Sequence, residues 1–184
     1  MAQLSSVERV VRNVKDLLQR KLYVLAREQA LDALAESPNN LDLLVILAQV
    51  CYDGQDYLAA ADSMEQALAI APEEPEFIRM ASLAWAQAGI VDRGLELADK
   101  YKVVSGTSPQ AWQLLGNIYE KTGRVEDAWE AMGHIPRTDA YMEILTLIEA
   151  RLLYADKEYG KSIDMIRDYH AWAEKARGSA HPPD

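Results

Sequence analysis

Apolar residues in this chain recur three and four positions apart, in short runs separated by polar punctuation. Leu44, Leu47, Ala48 and Cys51 lie on one side of a helix at that spacing. The polar stretch Asp53-Gly54-Gln55-Asp56 breaks the run, and Tyr57, Ala60, Ala61, Met64, Ala67 and Leu68 begin a second stripe. Pro72 and Pro75 then forbid continuation, because proline lacks the amide proton and its ring clashes with the preceding turn. The same order returns further on: Trp112, Leu115, Gly116 and Tyr119, a turn at Gly123, then Val125, Ala128 and Met132. The pattern predicts pairs of antiparallel helices and no strands.

The pairs repeat with a step of 34 residues. Ala26, Ala60, Gly94, Ala128 and Ser162 share one register position, where only a small residue occurs. Tyr23, Tyr57, Val91, Val125 and Tyr159 share another, and Pro38 and Pro72 are spaced alike. The repeats are 7–40, 41–74, 75–108, 109–142 and 143–176, without insertion. They read as one domain over 1–176, followed by a disordered tail at 177–184. The fourth unit departs from the rule: Pro136 falls inside its second helix. That helix should stop near His134, and the next should be capped by Thr138 or Asp139 and run from about 139 to 155. The third unit exchanges small and large residues, with Ala81, Gly94 and Ala98 against Trp85 and Tyr101, which reads as volume-conserving repacking.

This pattern resembles the tetratricopeptide repeat, a 34-residue helix-turn-helix unit. The fourth repeat carries the resemblance best through Trp112, Leu115, Gly116, Tyr119, Gly123 and Ala128. The second follows through Leu44, Leu47, Ala48, Tyr57, Ala60, Ala67 and Pro72. The resemblance implies an all-α fold, a right-handed superhelix (α-solenoid) of five such repeats. No unit can bury its faces alone, so stacking supplies the core.

Composition narrows the function. The 184 residues carry a net charge of -10, which opposes binding to phosphate backbones and to acidic membrane surfaces. No apolar run approaches the ~20 residues of a membrane span, so no membrane insertion is expected. A single cysteine, Cys51, excludes an internal disulfide and a cysteine-based zinc site. With no signal-like N-terminus, these features make a cytoplasmic protein the expectation. Phosphate-loop, nucleophile-elbow and zinc-helix motifs are missing, and His134, His170 and His181 form no i,i+4 pair. Acidic pairs such as Glu73-Glu74 and Glu126-Asp127 sit at turns and first helical turns, where they favour the helix dipole. The expectation is a non-enzyme with no cofactor and no metal.

In the resembled family the first helices of the repeats line a concave face that binds an extended or helical peptide. Transferred by register, that face holds Val11, Lys15 and Leu18 in the first repeat, and Val45, Ile46, Gln49, Tyr52 and Asp53 in the second. Arg79, Met80 and Leu83 continue it, then Gln113, Leu114 and Asn117, then Leu147, Ile148, Arg151 and Tyr154. One branch grips a terminal carboxylate through paired Lys and Asn. The matching positions here are Val11, Lys15, Ile46, Glu76 and Met80, of which Lys15 alone is basic, so that clamp is absent. The mixture of apolar and amide side chains suits an apolar or amphipathic protein segment. The second repeat, at -7, would steer a basic one. The expected role is therefore protein–protein interaction, as an adaptor or chaperone, with a bacterial secretion chaperone as one version. Two other roles stay open. One is a scaffold that self-assembles as a homo-oligomer through its C-terminal helix, with Ile166 and Trp172 exposed. The other is the N-terminal repeat region of a longer enzyme.

Overall fold

The structure, a computed structural model, describes residues 5–179, with side chains through residue 175. Among the described residues it is all helix, without a strand. The helices are α1 (Ser6–Gln19), α2 (Tyr23–Glu36), α3 (Leu41–Asp53), α4 (Tyr57–Ile70) and α5 (Pro75–Gln87). They continue as α6 (Val91–Val104), α7 (Pro109–Lys121), α8 (Val125–Gly133), α9 (Met142–Ala155) and α10 (Tyr159–Ser179). Every second helix of a pair therefore begins at the same register position, from Tyr23 to Tyr159.

Local chemistry sets these ends. Ser5 and Glu8 form a reciprocal capping box at α1. Hydrogen bonds from the Ser5 backbone and hydroxyl groups hold the Glu8 carboxyl below the usual carboxylate range. Asn40, Asp56 and Ser108 accept amide hydrogen bonds at α3, α4 and α7, and Pro75 and Pro109 occupy first-turn positions where a missing N–H costs nothing. Within each pair the first helix closes in a Schellman turn. Lys21, Gln55, Gly89, Gly123 and Lys157 all take positive φ, again 34 residues apart. The following amide reaches back five residues, as in Asp56 N–H to the Cys51 carbonyl at 2.8 Å.

The helix crossings use the small register positions. Ser82 donates to the Gly94 carbonyl at 2.6 Å, and Ser162 to the Ala150 carbonyl at 2.8 Å, so two of the crossings carry a hydroxyl bridge. A Cβ at Gly94 would meet the Ser82 carbonyl oxygen and the Ala86 amide at 3.0 Å. One at Gly116 would overlap only the end of the flexible Met132 side chain. In the third pair Tyr101 is buried and Trp85 donates to Glu65 at 3.0 Å. Arg93 grips the same carboxylate, so Trp85 of α5 and Arg93 of α6 are both tied to Glu65 of α4.

The described helices form two compact units, one ending at Gly106 and one beginning at Thr107. The register reads as one unbroken domain over 1–176, yet Gly106 and Thr107 both take left-handed backbone, unlike the loops at 37–40 and 71–74. The first unit holds the pairs α1/α2, α3/α4 and α5/α6, and the second holds α7/α8 and α9/α10. Pro136 shortens α8 to nine residues as expected. The following helix corrects the expectation: it starts at Met142, with Tyr141 as N-cap, because residues 138–141 are taken up in a turn closed by Tyr141 N–H to the Thr138 carbonyl. α10 continues past residue 176 to Ser179, and residues 180–184 of the expected tail lie outside the described residues.

Candidate protein-binding groove

In the first unit, α1, α3 and α5 contribute side chains to two adjoining hollows. One, of about 210 Å³, is floored by Ala48, Ala60 and Ala84 with Met64, and rimmed by Gln49, Tyr52, Asp53, Arg79, Met80 and Leu83. The alanines leave it open: Ala48 and Ala60 occupy the small register positions, and Ala84 stands where other repeats carry Val50, Ile118 and Leu152. The other, of about 340 Å³, lies among Val11, Lys15, Leu41, Asp42, Val45, Ile46, Gln49 and Phe77. Most first-unit residues picked by register thus converge here. The floor alanines, Leu41 and Phe77 were missed; the small-residue rule was the signal for Ala48 and Ala60.

The rim is polar and partly committed. Gln49 Nε2 donates to Asp53 Oδ1 at 2.8 Å, which fixes an exposed carboxylate at the mouth. Arg79 is held by both oxygens of Glu76, and those hydrogen bonds push its guanidinium pKa up, so it stays charged. Burial raises the Tyr52 phenol, which therefore remains a neutral donor at physiological pH. Its ring meets Tyr57 edge-on at 5.2 Å.

Three register-picked residues have little exposed surface. Ile46, Leu114 and Ile148 are buried in the packing of their own units, Ile46 within a core cluster containing Val14, Ala26, Leu47 and Ala61. Ile46 keeps an edge on the second hollow, and Met80, at the same register position, lines the first. In the second unit Arg151 reaches Asn117 Oδ1 at 3.4 Å and Glu120 at 3.4 Å, tying α9 to α7. Gln113 is half-buried, while Leu147 and Tyr154 are exposed.

Residues 109–133, the span of α7 and α8, match the sequence profile described as tetratricopeptide repeat. The fold is a tetratricopeptide-type helical array. The chain is similar to a Podosopora anserina structure titled putative kinesin light chain nearly identical TPR-like repeats, at TM-score 0.74 and 15% identity, covering 96% of this chain and 99% of that one. It is similar to a tetratricopeptide repeat protein from Parabacteroides merdae at TM-score 0.68 and 16% identity, covering 92% and 67%. It is also similar to MamA 41-end from Desulfovibrio magneticus RS-1 at TM-score 0.65 and 16% identity, covering 90% and 98%. No curated protein matches the sequence. In tetratricopeptide terms the two hollows lie on the first-helix face of repeats one to three.

Other candidate chemistry takes structural places. Cys51 is buried, and burial pushes its thiol pKa up, away from the reactive thiolate. His134 caps α8 and stacks on Trp112 at 3.9 Å. Among the described residues no group of three or more His, Cys, Asp or Glu is placed to hold a metal, and no helix is long and apolar enough to cross a membrane.

Proposed function

We propose that this chain is a protein-interaction module, an adaptor or chaperone-like protein. It holds an apolar or amphipathic, basic protein segment against the α1/α3/α5 face of its first unit. The observation that carries the reading is the alanine-floored hollow between α3 and α5, apolar below and acidic at its mouth. An apolar anchor side chain of the segment fills it, as interface anchors do. Cationic flanks then meet Asp53 and Asp42, while Glu76 already neutralises Arg79. The -10 net charge supports the sign of the partner. A reducing cytoplasmic setting fits the lone buried thiol.

Paired peptide arrays test this, with one apolar helical stripe and either Lys or Glu on the opposite face. Lys-bearing members should bind, and Leu83→Glu should abolish that binding while circular dichroism stays unchanged. Equal capture of Lys and Glu members, or unaltered binding by folded Leu83→Glu, would overturn the reading.

A further inference from the structure

Two departures from the register meet at a hollow of about 540 Å³ in the second unit, walled by α9, α10 and the loop after α8. Pro136 stops α8 at nine residues, where α2, α4 and α6 each run for fourteen. Thr146 stands at the position that holds Leu44, Ile78 and Trp112 in the three repeats before it. Arg137, on the loop that replaces the helix end, and Thr146 both line the hollow. A helix turn and a large side chain are thus both missing from a core that is otherwise closely packed. The size falls within the range of small-molecule sites.

The least exposed lining residues are both polar, Thr146 at 6% and Glu149 at 3%. Glu149 is committed to Arg137. Thr146 is not committed. Ser63 and Thr122 each donate to the carbonyl four residues back at 2.8 Å, whereas the Thr146 hydroxyl makes no hydrogen bond among the described residues. It is not sealed in either, since no fully buried side-chain oxygen is left without a partner. The little surface Thr146 keeps lies on the hollow, so an unpaired hydroxyl opens into it. A group more than nine-tenths buried and unpaired there gains from a ligand that bonds it.

Charge at the hollow sets the sign of that ligand. The ionisable groups of Arg137, Lys161, Glu149, Asp164 and Asp168 line it, an excess of one negative charge. Arg137 is held by Glu149, Lys161 by Glu158 at 3.3 Å, and Asp164 by Arg167 at 2.8 Å. Counting those outer partners leaves the excess unchanged. Asp168 has no ion pair or hydrogen bond among the described residues. It lies one turn before Trp172 on the same side of α10, and both line the hollow. A cation paired with Asp168 therefore also meets the indole ring, which attracts it. Met142 and Met165 supply an adaptable apolar wall for the body of the ligand.

We propose that this hollow binds a small organic cation, an amine on an apolar body that also carries one neutral hydrogen-bonding group. The ammonium meets Asp168 and Trp172 at the rim, the body lies against the methionines, and the neutral group bonds the Thr146 hydroxyl. The site is independent of the groove, whose residues lie in the other unit. Tyramine is the probe, with its ammonium, ring and hydroxyl. Isothermal titration calorimetry on the full chain should show it binding at one site with a Kd of about 0.1 mM. Tyrosol, its neutral alcohol analogue, and phloretate, the matching anion, should bind about tenfold more weakly or not at all. Asp168→Asn should weaken tyramine about tenfold and leave tyrosol unchanged, a split that loss of structure would not give. Thr146→Leu restores the register residue and so keeps the fold, and it should abolish binding of both. Leu83→Glu, which disables the groove, should leave tyramine binding intact. No binding at millimolar tyramine, equal affinity for phloretate, full affinity in Asp168→Asn or in folded Thr146→Leu, or binding of Lys-bearing peptides without the free amine would each overturn the proposal.

Discussion

Three of the five left-handed turn residues are not glycine: Lys21, Gln55 and Lys157, with φ from 58 to 65°. An L-residue held there costs about 1–2 kcal/mol, part of which glycine gives back through its freer unfolded chain. Gln55→Gly should therefore raise stability by about 0.5–1 kcal/mol, and Gly123→Ala, at φ 73°, should lower it by about 1 kcal/mol. Urea titration of the two variants checks both signs. The crossing glycines differ in a similar way. Gly94→Val forces backbone apart and should cost about 2–3 kcal/mol. Gly116→Ala displaces only the tip of Met132, and the alanine's helix propensity compensates, so thermal unfolding should move little. Cys51 carries a pH consequence. Its folded pKa is raised, so its contribution to stability is present below the thiol's ordinary pKa and is lost as pH rises above it. An aromatic disulfide reagent should label it at the rate of unfolding, and Cys51→Ala should remove the alkaline loss.

At the scale of elements, the shortened α8 has a consequence that the register hides. Glu149 occupies the position held by Leu47, Ala81 and Leu115 in earlier repeats, and it is buried. Arg137, on the loop that replaces the end of α8, grips both carboxylate oxygens. The ion pair fastens the irregular loop to α9. A hollow of about 540 Å³ remains beside it, lined by Thr146, Met165 and Trp172. Trp172, expected to be exposed for self-association, is half-buried there and packs on Tyr169 at 5.7 Å. Arg137→Ala leaves a buried carboxylate unpaired and should cost about 1–3 kcal/mol, the guanidinium's own exposure holding the figure down. Glu149→Leu restores the register residue and should be neutral or stabilising, as replacing buried ion pairs by apolar packing often is. Denaturant midpoints decide between them. If Glu149→Leu were the worse of the two, the pair would be more than a loop tether.

At the scale of the whole molecule, charge is the property that no single contact expresses. The excess of acid lies in the second repeat, whose α3 lines the proposed groove. Association with a Lys-bearing peptide should slow as salt rises, because screening shortens the reach of the field to ~10 Å at 0.1 M. Stopped-flow measurement over a salt series checks this; a salt-independent rate would leave Asp42 and Asp53 without a steering role.

The sequence alone determined the helix pairs, their 34-residue step and the small residues at the crossings, from Ala26 to Ser162. Those features follow from periodicity and steric volume, which act over a few turns and so leave a mark at fixed spacing. The family resemblance, carried along that register, put Gln49, Tyr52, Arg79, Met80 and Leu83 on the first-helix face, and these residues line the first hollow. Only the tertiary structure decided that Ile46, Leu114 and Ile148 are core, that Glu149 is paired with Arg137, and that the chain divides at Gly106. Burial, pairing and division depend on which neighbour a given face meets, and residues far apart in the chain supply that neighbour.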